Sequence, residues 1–381
     1  MSLAGDWSYP TKMRFGAGRI QELGEACSEI GIDKPLLVTD RILSELPLTQ
    51  RVINILGNAG LKTSLFSEVD PNPTDVNLKD GIQEFHNGSY DGVVALGGGS
   101  AIDLGKLIAF MAGQTQSVWE FEDTSDNWTR AKTSTILPIV AVPTTAGTGS
   151  EVGRAGVIMD SENGVKKIIF HPKIMPSTVI CDPELTVGMP TAITIGTGMD
   201  AFAHCLEAFS SPIYHPMSQG IALEGMKLVS EHLPVVVKNP NNLESRAHMM
   251  SAAAMGAVAF QKGLGAIHAI SHPVGAIYNT HHGMTNAVVM PAVLALNRNA
   301  IEHKIERAAA YLGIKGGYDG FYEFILQFRQ SLGVPDKLRL LGVQQDKIEK
   351  MTKMALADPS GQGNPVPLNH DNVRGLFNAC I

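Results

Sequence analysis

Apolar positions in the first 186 residues come in short runs, separated by stretches with helical spacing. "KPLLVTD" (34–40) is a brief apolar run ending in Asp40, and "LTQRVINILGNAG" (48–60) has helical spacing and stops at glycine. "LKTSLFSEV" (61–69) reads as strand and "DVNLKDGIQEFHNGS" (75–89) as helix. "DGVVALGGGSAIDLGKLIAFMAG" (91–113) reads as strand, glycine turn and helix. "STILPIVAVPTTAGTGSE" (134–151) reads as a buried strand entering a Gly/Thr loop. Strands alternating with helices predict a parallel α/β sheet. The pattern changes near Val187. Segments 190–210, 217–236, 243–261, 286–299, 301–312, 318–332 and 343–356 carry helix-like apolar spacing between short polar or Gly/Pro breaks. The chain therefore predicts an α/β domain over 1–186 and an all-helical domain over 187–381.

Composition narrows the class. The chain of 381 residues is 44% hydrophobic and 18% charged, with a net charge of −7. That balance suits a globular protein and argues against coating nucleic acid or an anionic membrane. Cys27, Cys181, Cys205 and Cys380 are far apart and form no C-x-x-C pair, which predicts reduced thiols in a cytoplasmic protein. No signal peptide is read at the N-terminus. The apolar stretch 249–260 falls short of the ~20 residues of a membrane helix.

Two kinds of candidate chemistry stand out. In "VVALGGGSAID" an apolar run delivers the chain to three glycines and then a helix. Glycine lets the backbone approach a pyrophosphate, and the helix N-terminus favours the anion. The spacing is not G-x-G-x-x-G. "PTTAGTGSE" (143–151) is a second donor-rich loop after a strand, offering Thr144, Thr145 and Thr148. Asp40 has two readings: an acceptor for ribose hydroxyls that repels a 2′-phosphate, or a helix N-cap for "RILSEL".

The second kind is metal chemistry. "GAIHAISHPVGAIYNTHHG" (265–283) holds four of the twelve histidines. His268 and His272 are four apart and share a helix face, as do Asp200 and His204 in "GTGMDAFAHCLEAF". One carboxylate among imidazoles makes an N₃O metal site. Spacing alone leaves open which of His268, His272, His281 and His282 take part.

"DPNPT", "GGGSAID", "VPTTAGTGSEV", "DPELT", "PTAITIGTGMDAFAHCLEAF" and "KGLGAIHAISHPVGAIYNTHHGMTNAVVMP" span nearly the whole chain. In order and spacing they resemble the iron-containing (group III) alcohol dehydrogenases of the dehydroquinate synthase-like superfamily. The resemblance implies a metal held by Asp200, His204, His268 and His282, with His272 near the nicotinamide as a proton relay. It gives His281 no assigned role. For NAD it implies Asp40, Asn72, Gly99, Ser100, Thr144, Thr145 and Lys166, with Lys167 as the neighbour that competes with Lys166. It also implies reversible hydride transfer between an alcohol and NAD, with the metal as Lewis acid. Four protein ligands favour Fe(II), though Zn(II) and other divalent ions suit the same groups. Relatives are dimers or larger, so a homo-oligomer is expected, acting on a small alcohol or aldehyde and binding neither nucleic acid nor membrane. A dehydroquinate synthase-like lyase or cyclase is the rival class.

The chain departs from many relatives at "SEVGR", where Gly153 replaces a hydroxyl residue and Arg154 adds a cation. Arg154 has two readings: a salt bridge to a protein carboxylate such as Glu151, or a planar fork for a substrate carboxylate. The second reading makes the substrate a short ω-hydroxy acid such as 4-hydroxybutyrate. The first leaves a plain short-chain alcohol or diol.

Overall fold

A computed structural model describes residues 5–7 and 11–381. Two compact units emerge: residues 1–145 with 149–188, and residues 146–148 with 189–381. No helix among the described residues is long and apolar enough to cross a membrane.

The first unit contains β1 (Gly5–Trp7), β2 (Lys12–Phe15), β3 (Pro35–Val38), β4 (Ser64–Phe66), β5 (Gly92–Gly97), β6 (Ile139–Pro143), β7 (Ala155–Asp160), β8 (Val165–Phe170) and β9 (Thr178–Cys181). Its helices are α1 (Leu23–Glu29), α2 (Arg41–Ser44), α3 (Pro47–Asn58), α4 (Asp75–Gly88) and α5 (Gly99–Met111). The main sheet runs β1-β2-β9-β6-β5-β3-β4. All its neighbours are parallel except β1 and β2. Every residue of β3, β5 and β6 is buried, as their unbroken apolar runs require of parallel strands covered on both faces. Gly105 lets α5 lie close on this sheet, since a Cβ there would overlap the Ala95 side chain.

The strand register positions the loops. Val38 pairs with Ala95, and Gly97 with Pro143. The carboxyl ends of β3, β5 and β6 are therefore level, and ligands bind open α/β sheets at that edge. A separate antiparallel hairpin, β7–β8, was not anticipated by the strand–helix alternation. Its strands are half-buried, and they join the rest through Met159, whose N–H donates to the Pro73 carbonyl at 2.7 Å.

The second unit is helical: α6 (Thr191–Ser210), α7 (Pro216–Lys238), α8 (Leu243–Ala259), α9 (Ala266–Tyr278), α10 (His282–Tyr311), α11 (Gly317–Ser331), α12 (Ile348–Ala357) and α13 (His370–Cys380). Helix α6 lies against α7, α8 and α10 and is buried from Thr194 through Ser210, as a helix apolar on all sides should be. Its crossing with α10 is very tight: a Cβ on Gly283 would overlap the Gly196 carbonyl. At its other end the last carbonyls, which have no helical partner, find two lysines. Fully buried Lys262 donates to Ala208 O at 3.0 Å, and Lys304 to Ser210 O at 2.9 Å. Burial pushes the Lys262 ammonium down to about 8.

One boundary differs from the sequence reading. Residues 286–299 and 301–312 are parts of a single helix, α10. The polar positions near 298 form a solvent face rather than a break, because Arg298 pairs with Asp319 at 2.7 Å and Glu302 at 3.1 Å.

Candidate active site

Each unit carries one cluster of the predicted residues. In the first unit, Asp40 follows β3, Gly99 and Ser100 follow β5, and Thr144 and Thr145 follow β6. Thr144 N–H donates to Gly97 O at 3.0 Å, so the two loops run side by side. A Cβ on Gly98 would press on Thr145 at 3.2 Å, so glycine there lets the two loops pack side by side. Ser100 Oγ donates to Pro71 O at 2.7 Å and so draws the loop bearing Asn72 to the same edge. Lys166 pairs in register with Met159, which bridges to Thr74 beyond that loop. The neighbouring Lys167 is held by Asp160 at 3.4 Å and Glu122 at 3.5 Å, and it lies over the Trp119 ring.

Asp40 fulfils its structural reading: its Oδ1 accepts from Leu43 N at 2.9 Å and caps α2. That leaves Oδ2 uncommitted to the cap. Arg154 is exposed, and its guanidinium lies over Phe170, 5.6 Å from the ring centroid. Glu151 is only 3% exposed. Burial pushes its pKa up to about 7, against the pull of nearby Lys106. The cation acting on Glu151 is thus Lys106. Lys106 itself is fully buried, bonding Ser150 Oγ at 2.7 Å and Asp103 Oδ1 at 3.1 Å.

The second unit gathers the other predicted residues. Asp200 and His204 lie one turn apart on α6, His268 and His272 one turn apart on α9, and His282 opens α10. Asp200, His204 and His268 are buried and could hold a metal ion together, their ligand atoms lying within 4.8 Å of one another. Asp200 Oδ1 is the focus: His204 Nε2 stands 3.7 Å away, His268 Nε2 3.6 Å and His282 Nε2 3.5 Å. These separations are too long for hydrogen bonds. Two donors bound at about 2.1 Å to one ion stand roughly 3.0–3.4 Å apart, so Asp200, His204 and His268 lie a little wider than a shared cation requires, while His282 approaches Asp200 but falls outside that group of three.

The electrostatics point the same way. Burial would raise the Asp200 carboxyl, but the facing His204, His282 and His268 hold it well below the usual carboxylate range. Burial would lower His268, yet Glu207 and Asp200 push it up to about 10. Burial takes His204 down to about 4. Two carboxylates in a dry pocket of imidazoles make a field that draws a cation.

Sequence reasoning missed the residues that hold the donors in place. Glu207 lies one turn beyond His204 on α6. Its Oε2 stands 2.5 Å from His268 Nδ1, and its Oε1 accepts from Ile267 N at 2.6 Å. The carboxylate therefore keeps the His268 proton on Nδ1 and turns Nε2 towards Asp200. It also satisfies an unpaired N–H at the start of α9. The signal was available, because Asp200, His204 and Glu207 at i, i+4 and i+7 share one face. Asp358, which follows α12, stands 2.7 Å from His272 Nδ1. Burial would raise this carboxyl, and His272 lowers it. The His272 ring stacks on His282, with centroids 5.3 Å apart and planes 14° apart. His281 caps α10, its Nδ1 accepting from Met284 N at 3.3 Å, and its ring lies against Gly196.

The family model described as iron-containing alcohol dehydrogenase matches residues 10–183, and that of the C-terminal part of the Fe-containing alcohol dehydrogenase family matches 194–381. The chain belongs to the iron-containing alcohol dehydrogenase family. It is an oxidoreductase acting on alcohols, and the lyase or cyclase alternative lapses. It is similar to the 4-hydroxybutyrate dehydrogenase of Cupriavidus necator, with 37% identity covering 97% of this chain and 98% of that protein. It is also similar to the crystal structure of a 1,3-propanediol oxidoreductase, with a TM-score of 0.91, 32% identity and 100% of both chains covered. A sulfoacetaldehyde reductase from Bifidobacterium kashiwanohense in complex with NAD+ matches with a TM-score of 0.88 and 29% identity over 97% of each chain.

Proposed function

We propose that this alcohol dehydrogenase uses NAD and Fe(II) to interconvert 4-hydroxybutyrate, or a close ω-hydroxy acid, and its semialdehyde. The observation that carries the reading is the convergence of three imidazole Nε2 atoms on Asp200 Oδ1. In this reading Asp200, His204, His268 and His282 hold the metal. When bound, the metal supplies Lewis-acid polarisation of the substrate oxygen, and the nicotinamide supplies the hydride acceptor.

The chain's own residues do the rest. His272 donates its Nδ1 proton to Asp358 and so presents Nε2 as the base. It takes the hydroxyl proton as the alcohol is oxidised and returns it in the reverse direction. Asp358 stabilises the imidazolium in between, in the way a buried carboxylate orients a catalytic histidine. For the cofactor we assign Asp40 to the ribose, the loops bearing Asn72, Gly99, Ser100, Thr144 and Thr145 to the phosphates and nicotinamide, and Lys166 as the partner cation. A cytoplasmic homo-oligomer goes with this reading.

Arg154 is assigned to the substrate carboxylate. Its support is the exposed position of the residue after the Thr/Gly loop and the likeness to a 4-hydroxybutyrate dehydrogenase. A lost charge-assisted hydrogen bond is worth about 1.5–3 kcal/mol. Arg154→Met should therefore lower kcat/KM for 4-hydroxybutyrate by about one to two decades and spare 1-butanol. If both substrates suffer alike, Arg154 is structural. The neutral diol reading, favoured by the likeness to a 1,3-propanediol oxidoreductase, then takes its place.

A further inference from the structure

We infer that Asn286 is a positioning residue that holds Asp200 and shields the side of the donor cluster formed by Asp200, His268 and His282. The inference rests on the ligand set proposed above. Asn286 is fully buried and sits on α10, one turn beyond His282. Its Nδ2 is 2.8 Å from Asp200 Oδ1, 3.3 Å from His268 Nε2 and 3.2 Å from His282 Nε2. An atom nearly equidistant from three of the four donors lies over the triangle they form.

The hydrogen-bond network decides which end of the amide points there. A carboxylate oxygen can only accept. An amide oxygen in that position would face the carboxylate's lone pairs at 2.8 Å, whereas the NH₂ group has a proton to give. The other end, Oδ1, is buried and has no hydrogen-bond partner. The side chain thus leaves its oxygen unsatisfied in order to aim its nitrogen at the cage.

An amide nitrogen has no free lone pair for a cation, so Asn286 is not a further ligand. It does two other things. Its N–H pins Asp200 Oδ1, which keeps the carboxylate from swinging its second oxygen into the cage. Its bulk also excludes water from the Asp200–His268–His282 triangle.

The test is metal exchange in the full-length protein, read by Co(II) titration followed through the visible d–d absorption, which weakens as coordination number rises. Asn286→Ala should bind Co(II) about tenfold to hundredfold more weakly. Its absorption per Co(II) should fall severalfold as water enters the uncovered face. Asn286→Leu refills the space without donating, so it should lose affinity but keep the intense spectrum. Circular dichroism of each metal-free variant checks folding, and the near-isosteric Leu variant carries the test if the Ala variant does not fold. Wild-type affinity and spectrum in the folded variants would overturn the inference. So would a gain in absorption in Asn286→Leu, which would mark a lost ligand. If His268→Ala binds Co(II) as tightly as wild type, the proposed ligand set is wrong; that result is separate from any seen at position 286.

Discussion

The two candidate clusters are built from different parts of the chain. At the sheet edge of the first unit the contacts come from backbone and hydroxyl groups, set level by the register of β3, β5 and β6. In the second unit they come from side chains on α6, α9 and α10, with Glu207 holding His268 and Asn286 holding Asp200. A backbone-built site spreads its binding over many weak donors, so no single residue is indispensable. A side-chain cage would concentrate it in a few atoms, so that a residue such as Glu207 behind His268 matters as much as the donor itself.

The sharpest way to break this contrast is to remove a donor. His268→Ala or His282→Ala should abolish turnover and strip the metal, read by metal content after desalting and by NADH formation. His281→Ala, one residue away, should keep the metal and lose only a helix cap, about 1 kcal/mol of stability. Loss of metal in His281→Ala with retention in His282→Ala would reverse the ligand assignment.

A second prediction turns to the first unit and to pH. Burial raises Glu151 from 4.5 to about 7, with Lys106 pulling the other way. The folded protein therefore holds a proton there that the unfolded chain gives up. The associated stability is fully present below pH 4.5 and is lost as pH rises through 7. Over that window it amounts to at most about 3 kcal/mol. Glu151→Gln should flatten the fall in denaturation midpoint between pH 5 and pH 8. An unchanged slope would show that the loss comes from elsewhere.

The smallest expected effect concerns coenzyme choice. Asp40→Asn keeps an N-cap side chain for α2 but removes the charge. The preference for NAD over NADP should narrow by about tenfold or more, the size of one Coulomb repulsion near a protein surface. Equal use of both coenzymes by the wild type would remove Asp40 from the account.

Much of this was legible in the sequence, for physical reasons. The buried parallel strands announce themselves as unbroken apolar runs, and the turns after them as glycine and threonine. The pairs Asp200/His204 and His268/His272 are visible because helix geometry maps a spacing of four onto one face. The supporting shell was harder to read. Glu207 lies on the same face of α6 but looks like an ordinary helical acid until α9 is placed beside it. Asp358 stands 86 positions from His272, and no periodicity links them. Asn286 has no charge and no motif of its own. Asp40 carried two readings because one carboxylate has two oxygens, and the structure uses one of them for the cap. Hairpin β7–β8 escaped notice because its mixed, half-buried residues suit a loop as well as a strand.

The bare crossing of α6 and α10 has a consequence for anyone who would copy this centre into another protein. Between Gly196 and Gly283 there is no side chain to act as a spacer, and a Cβ on Gly283 would also strike the Asp200 side chain. The gap between Asp200 and His282 is thus set by backbone meeting backbone. A transplant that carried over the four donors and left alanines at these two positions would hold the helices apart and mismatch the cage to its ion. The minimal portable unit therefore includes two hydrogen atoms where side chains would otherwise begin.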